Sequence, residues 1–596
     1  MLLKSLVEYY DTLVNLGKVP PFDMSDTKVG FAIDLNMDGT VKRVVSLRER
    51  IDRSNKEVSK NMFVPLQKKR SSGIAPYFLA DKMQYVLGCK CKKVRSENGT
   101  DQAVEKIITS QYFDAFAALH HKVLDDCNGE KAETILRFVD TLCPGKYPDI
   151  LEENIEMLDA NGTQPQIVLR DETGNSFFSD PEIREAWDKY LISRQEKMKS
   201  MTDLIDGRKM PVQELHGAVK GIGSTAGGVS LISYNKNSFE SYGLEHGENS
   251  PVSVMNEQKY VATLNYLFSS ADYVTRIGKS ESPSMYITYW AANGNSIYQD
   301  IFSDEYNGQN KLDRDDLKEI VKQVANGMAI NYQNSTISPE EKFYLLGVSA
   351  NAARLSVQFF YENSFGNVLQ NVYQHQKRLE IIGAKNGETL PIYRILNETV
   401  RQISRQKLET NPSPSIAGGL YKAVFQNTRY PEAIFSQIIA RVKADNTVTY
   451  AKAEIIKAYL IKNGNSIPKE VLTVDINKES NYAPYVLGRV FAVLEKIQRD
   501  VSPSITTTIK DRYIGRAASD PVVVFPGLMR LSQNHQRKLS EGGKVYYSNL
   551  LNELMSKLPE KFPKHLSLEE QGSFYLGYYH ENQELYKKKI ENKEEN

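Results

Sequence analysis

From Asn481 to the end of this 596-residue chain, apolar residues return at three- and four-residue steps. Leu487, Val490, Phe491, Leu494, Ile497 and Val501 form one such stripe, which predicts an amphipathic helix. In a following stretch Phe525, Leu528, His535 and Leu539 face inward, while Arg530, Asn534 and Arg537 share the outer side. Four stretches of this kind, closely spaced, predict an antiparallel four-helix bundle over 481–596. Its last helix opens on a capping box, Ser567-x-x-Glu570.

Before the bundle the period changes. The polar segment 464–480, with Gly464 and Pro468, reads as a linker. A first helix ends at Lys18-Val-Pro-Pro21. KVGFAIDL and VKRVVSLRE then alternate around Asp38-Gly39, a hairpin signal, and MFVPLQ adds a strand. Residues 1–100 thus form a basic α+β part. The segment 101–200 is acidic and mainly helical, with a short strand at Gln166–Arg170. The segment 201–312 is mixed α/β, with VSLISYN and SMYITYW as buried strands, and 313–463 reads as helical. The expected fold class is α+β: a mixed α/β N-terminal portion, a mainly helical region, then the bundle.

Length sets a prior of about three to five domains, and 41% hydrophobic residues suffice for a sizeable core. No apolar run approaches the roughly 18 residues of a membrane span. The N-terminus is amphipathic, unlike a signal peptide, and cysteines stand only at 89, 91, 127 and 143. A reducing cytoplasm is expected. The spacing of those cysteines does not suit a zinc site. Net charge is only +1, yet residues 1–95 carry +8, 124–188 carry −11 and 483–540 carry +5. Such a chain meets nucleic acid at chosen faces rather than coating a polyanion. Arg489, Lys496 and Arg499 align opposite the apolar stripe of their helix, although a charged stripe is also what a solvated helix face looks like.

Catalytic patterns are missing from the sequence. None of the eight histidines falls in a metal-binding or dyad spacing. The loop Gly221-Ile-Gly-Ser-Thr-Ala-Gly-Gly228 lacks the lysine of a P-loop and the dinucleotide spacing. It also lacks the first glycine of a nucleophile elbow, and the acidic run Asp304–Asp316 lacks calcium-loop order. The expectation is a non-enzyme without catalytic residues, cofactor or metal. A nucleotide-dependent enzyme using the glycine-rich loop is the weaker alternative.

Several segments together resemble one family. They are LVEYYDTL near the start, KKRSSGIAPYFLADKMQYVLG at 68–88 and HGAVKGIGSTAGGVSLISYNKNSFESYGLEHGENSPVS at 216–253. YLLGVSANAARLSVQFFYENSFG at 344–366, PEAIFSQIIARVKAD at 431–445 and nearly all of 483–580 complete the set. The ordered set resembles the large subunit of the type I-C CRISPR surveillance complex, the Csd-one family of the Cas-eight group. Departures exist. Leu79-Ala-Asp-Lys82 stands where the family more often has Cys-Asp-Asn, Tyr77 replaces a frequent Asn, and the glycine-rich loop lacks an expected glutamine and arginine.

The resemblance implies assembly on CRISPR RNA with backbone and crRNA-end subunits. It implies recognition of the protospacer-adjacent motif in target double-stranded DNA, help in opening it, and R-loop support for the displaced strand. A helicase–nuclease is recruited afterwards. Candidate motif-duplex residues are Lys28, Lys68, Lys69, Arg70, Ser71, Ser72, Tyr77, Lys82, Lys220, Gly223 and Ser224. Candidate displaced-strand residues are Arg489, Lys496, Arg499, Lys510, Arg512, Arg530 and Arg537. The family also implies free copies of the C-terminal bundle as small subunits. No Met lies between Met328 and Met529, so an internal start needs a non-Met codon, at Val471, Leu472 or Val474. The alternative function is a purely structural helical scaffold subunit of a ribonucleoprotein.

Overall fold

The structure, a computed structural model, describes residues 2–594 except 51–56, 68–69, 71–72, 96–101, 160–163, 197, 224–226, 235, 272, 278–284, 308–313, 333–334, 384–389 and 405–406. Two compact units are present. The first joins Met1–Gly217 with Ile232–Tyr266, and the second joins Ala218–Leu231 with Leu267–Asn596.

Helix α1 (Leu2–Asn15) opens the first unit, which is built on a five-stranded sheet. Its strands are β1 (Met24–Leu35), β2 (Val41–Ser46), β3 (Lys60–Pro65), β4 (Ala80–Lys82) and β5 (Gln166–Arg170). β1 runs antiparallel to β2 and β3 and parallel to β5, and β4 lies antiparallel on β5. The expected hairpin is present. Thr40 N–H donates to Asp38 Oδ1 at 2.9 Å, and Gly39 takes φ +84°, a conformation that favours glycine.

Val29–Leu35 is buried without interruption, because both faces of β1 are covered. Phe31, Ile33, Leu35, Ile167 and Leu169 share a core with helices α2 (Ser110–Leu124) and α3 (Pro181–Gln195). Val29, Ala32, Val64, Ala80 and Val168 form a second, smaller cluster.

In the second unit an antiparallel sheet has the order β6 (Val274–Ile277), β7 (Met285–Ala291), β8 (Lys342–Asn351), β9 (Arg354–Ser364). Two expectations change here. SMYITYW does supply β7, but VSLISYN makes only single bridges, Val219 with Val229 and Ser230 with Arg354. The region 313–463 is not continuously helical, since it contains the β8–β9 hairpin. Phe343–Val348 is buried on every residue, so it shows no alternation that would mark it as a strand.

The C-terminal part contains α4 (Glu432–Asp445), α5 (Tyr450–Asn463), α6 (Ala483–Val501), α7 (Ile509–Ser519), α8 (Pro521–Gln536), α9 (Glu541–Ser556) and α10 (Leu568–Glu594). After residue 481 there are five helices rather than four. Two of them, α7 and α8, are separated by Asp520 alone, which takes a non-helical φ of −130° and ψ of 68° before Pro521, a residue that disfavours helical backbone in the position preceding it. Pro521 then starts α8, where a missing N–H costs nothing.

The segment 464–480 is a strap rather than a free linker. Lys478 Nζ pairs with Glu584 of α10 at 2.8 Å, and Ser466 donates to Glu569 at 3.2 Å. One hydrophobic cluster runs from Ile277 to Leu585, so bundle and preceding helices share a core. Among the described residues no helix is long and apolar enough to cross a membrane.

Candidate nucleic-acid interface

The segment from Leu66 to Lys82 is organised around Arg70. Its guanidinium lies between the rings of Tyr77 and Tyr85, 3.9 and 4.0 Å from their centroids. It pairs with the fully buried carboxylate of Asp81, and its Nε donates to Ala75 O at 2.6 Å. Asp81 also accepts the backbone N–H groups of Tyr77 and Lys82, both at 2.7 Å. Burial raises the Asp81 pKa, while Arg70 pulls it the other way. Arg70 is therefore a clip that shapes the turn, not the free phosphate ligand expected from the basic run. A buried carboxylate needs a cation, and Arg70 is the one that reaches it. Lys68, Lys69, Ser71 and Ser72 lie outside the described residues.

The same turn depends on α2. Leu79 takes φ +56°, and its N–H donates to Nε2 of buried His120 at 3.1 Å. Nδ1 of His120 sits 2.7 Å from Phe116 O, so Nδ1 carries the proton and Nε2 accepts. Burial lowers this pKa to about 4, which keeps the ring neutral. His120 holds the backbone that leads into β4, and β4 presents Lys82 to solvent. Beside it Gln67 donates to Ala80 O at 2.9 Å and exchanges amide hydrogen bonds with Gln166 at 3.0 and 2.8 Å.

Lys28 is also exposed. Lys82 pairs in register with Gln166, which in turn pairs with Val29. Alternation places Lys82 on the face of Ala80 and Val29, and Lys28 on the opposite one, so one sheet surface does not carry both lysines. Tyr77 is half-buried, with its hydroxyl pKa raised mainly by burial.

The glycine-rich loop belongs to the second unit. Gly221, Gly223 and Gly228 take φ of +79°, +74° and +82°. A side chain at Gly228 would meet Val219 O at 2.6 Å. The loop folds back on itself through paired bonds between Val219 and Val229. The N–H of Gly223 is already used, donating to Tyr286 Oη at 3.1 Å. That N–H is therefore not available to a phosphate in this conformation. Lys220 is exposed, and Ser224 lies outside the described residues.

In the C-terminal helices the candidates divide. Arg489 is 1% exposed. Its Nε donates to Glu581 of α10 at 2.8 Å, and Nη1 to the carbonyls of Asn477 and Lys478 at 3.3 Å. Lys496 is buried and paired with Asp500. Arg499 donates twice to Glu495 Oε1, at 3.0 and 2.9 Å. These three were expected on an outer stripe. Instead α6 is buried on every side between Pro484 and Ile497, which gives Arg489 and Lys496 internal counter-charges, while Arg499 beyond that span is 38% exposed and paired along its own helix. Lys510 is half-buried at a small cleft of about 70 Å³ shared with Glu495, Lys496 and Arg499.

Arg512, Arg530 and Arg537 are exposed, and no carboxylate pairs with them among the described residues. Arg530 donates only to its own helix, at Pro526 O, 3.3 Å. Arg530 and Arg537 are seven residues apart on α8 and just beyond its end, hence on one side. Two further exposed cations, Arg516 and Lys538, lie on or beside the same helices. Arg516 stands four residues after Arg512, a spacing that puts both on one helix face and is readable in the sequence, whereas nothing in the spacing of Lys538 singles it out. Among the described residues no group of three or more His, Cys, Asp or Glu could hold a metal ion.

Residues 6–586 match the family described as CRISPR-associated protein (Cas_Csd1). The match covers nearly the whole chain, and the protein belongs to this family. It is a CRISPR-associated protein. Among curated proteins none matches the chain.

Proposed function

We propose that this protein is the non-enzymatic large subunit of a type I-C CRISPR RNA-guided surveillance complex, acting in the cytoplasm. It binds the crRNA-containing assembly of backbone and crRNA-end subunits and recognises the protospacer-adjacent motif in duplex DNA. It then aids unwinding, stabilises the R-loop and supports the helicase–nuclease. Base pairing reads the target sequence, and protein reads only the short motif. Free copies of the C-terminal bundle serve as small subunits beside it.

Within that reading Lys82 stands at the motif duplex, on a turn fixed by Arg70, Asp81 and His120. Arg512, Arg516, Arg530, Arg537 and Lys538 face the displaced strand. The supporting observation is their exposure without counter-charge, in a region where Arg489, Lys496 and Arg499 are all neutralised. A scaffold without DNA contact would carry the same exposed cations as a solvated helix face, and the two readings part on whether those cations set the salt dependence of DNA binding.

The test is charge reversal at Arg530 and Arg537 in the assembled complex. Loss of two phosphate contacts to a single strand should flatten the slope of log affinity against log salt by about 1.4. An unchanged slope and affinity overturns the assignment of these residues.

A further inference from the structure

Between the Tyr77 turn and α3 the first unit holds a cleft of about 460 Å³, a volume typical of small-ligand sites. Leu119 and Leu191 give it apolar surface, and Tyr77, Trp187 and Tyr190 give it aromatic surface. Arg194 lines it, exposed and with no carboxylate partner among the described residues. No aspartate or glutamate is among the described residues that line it, although residues 124–188 carry a net −11. An acid-free, arginine-bearing recess in an acidic neighbourhood selects for an anion attached to a flat apolar body.

The walls are fixed in advance. Trp187 stacks between Phe78 and Tyr190, with centroids 4.8 and 5.3 Å away, and its Nε1 donates to Asp23 O at 3.3 Å. Tyr77 is backed by the guanidinium of Arg70. Such a site loses little freedom when it closes on a ligand.

We infer that this cleft binds a nucleoside monophosphate unit, with the base against the aromatic and leucine wall and the phosphate at Arg194. Two sources share this chemistry: a free nucleotide, or one nucleotide swung out of opened DNA. The second source rests on the proposed function, since the Tyr77 turn leads directly into Lys82; the first does not.

Two arms test it. In the first, the full chain is titrated calorimetrically with 5′-monophosphates of the four nucleosides and with the nucleosides themselves, before and after Arg194→Gln. In the second, the assembled complex binds duplexes carrying 2-aminopurine at positions beside the motif, and fluorescence reports base extrusion alongside motif-dependent affinity. A cavity-filling variant, Leu191→Trp, accompanies both. The expected result is about tenfold or greater preference for the monophosphate, or an aminopurine signal. Either is lost in Arg194→Gln and in Leu191→Trp. The responding arm names the source. If neither arm shows an Arg194-dependent signal, the inference falls, and motif-dependent affinity in the same samples shows whether the proposed function stands without it. Arg194-dependent monophosphate binding without motif discrimination supports the cleft and counts against the function.

Discussion

Arginines in this protein serve two purposes that a sequence writes identically. Arg70 and Arg489 are internal clips for Asp81 and Glu581, whereas Arg530 and Arg537 stand free in water. The partner of Arg489 is far along the chain, so a stripe of cations on α6 looked like a solvent face. Burial raises the Glu581 pKa, and the guanidinium offsets part of that cost. Replacing Arg489 with Met should therefore destabilise the chain by about 3 kcal/mol or more, because Glu581 is left buried and unpaired. The double variant Arg489→Met/Glu581→Leu should recover most of the loss. Urea unfolding of the three proteins checks this; a single variant as stable as the parent would place Arg489 back among the free cations.

At the level of elements, α6 and α10 cross at two glycines. A Cβ on Gly488 would lie 1.9 Å from Phe574 O, and one on Gly577 would lie 2.0 Å from Tyr485 O. Alanine is the better helix former by about 1 kcal/mol, so substitution at an uncrowded site would stabilise. Here Gly488→Ala should instead cost about 3 kcal/mol, as the helices are forced apart. A raised thermal midpoint would show that the crossing is looser than described.

The helical period of the bundle was readable because its apolar positions repeat at three- and four-residue steps, even with Gly488 in α6 and Pro526 in α8. Its break at Asp520 was also readable, in principle, from Pro521. The β8–β9 hairpin was not, since a short run buried on both faces has no period. Nor was the packing of α10 on earlier helices, where Gly572 sits against Phe435 of α4 and Ile456 of α5. A bundle translated from Val471, Leu472 or Val474 lacks both residues, so a free small subunit needs another partner on that face.

For the whole molecule, three histidines, His120, His375 and His580, are buried, and a fourth, His216, is half-buried. Burial lowers the pKa of His120, His216 and His580 to about 4 and of His375 to about 3, from an ordinary 6.5. Three of them sit against a tyrosine hydroxyl: His216 with Tyr260, His375 with Tyr430 and His580 with Tyr485. The unfolded chain binds protons below 6.5 that the folded chain refuses, so stability is complete above that value and lost as pH falls toward 4. Each unit carries two of these groups. Urea midpoints should therefore drop between pH 7 and pH 5, and a flat profile would contradict the burial of these rings.

The proposed reading of a motif in duplex DNA belongs to the protein as a whole, within its assembly. The most direct measurement is binding by the complex, assembled with its crRNA and neighbouring subunits, to a library of duplexes that differ only beside the guide-matched segment. The account predicts that one short flanking sequence is bound at least about tenfold more tightly than the rest, and that Lys82→Ala narrows this ratio. Equal affinity for every flank would contradict it.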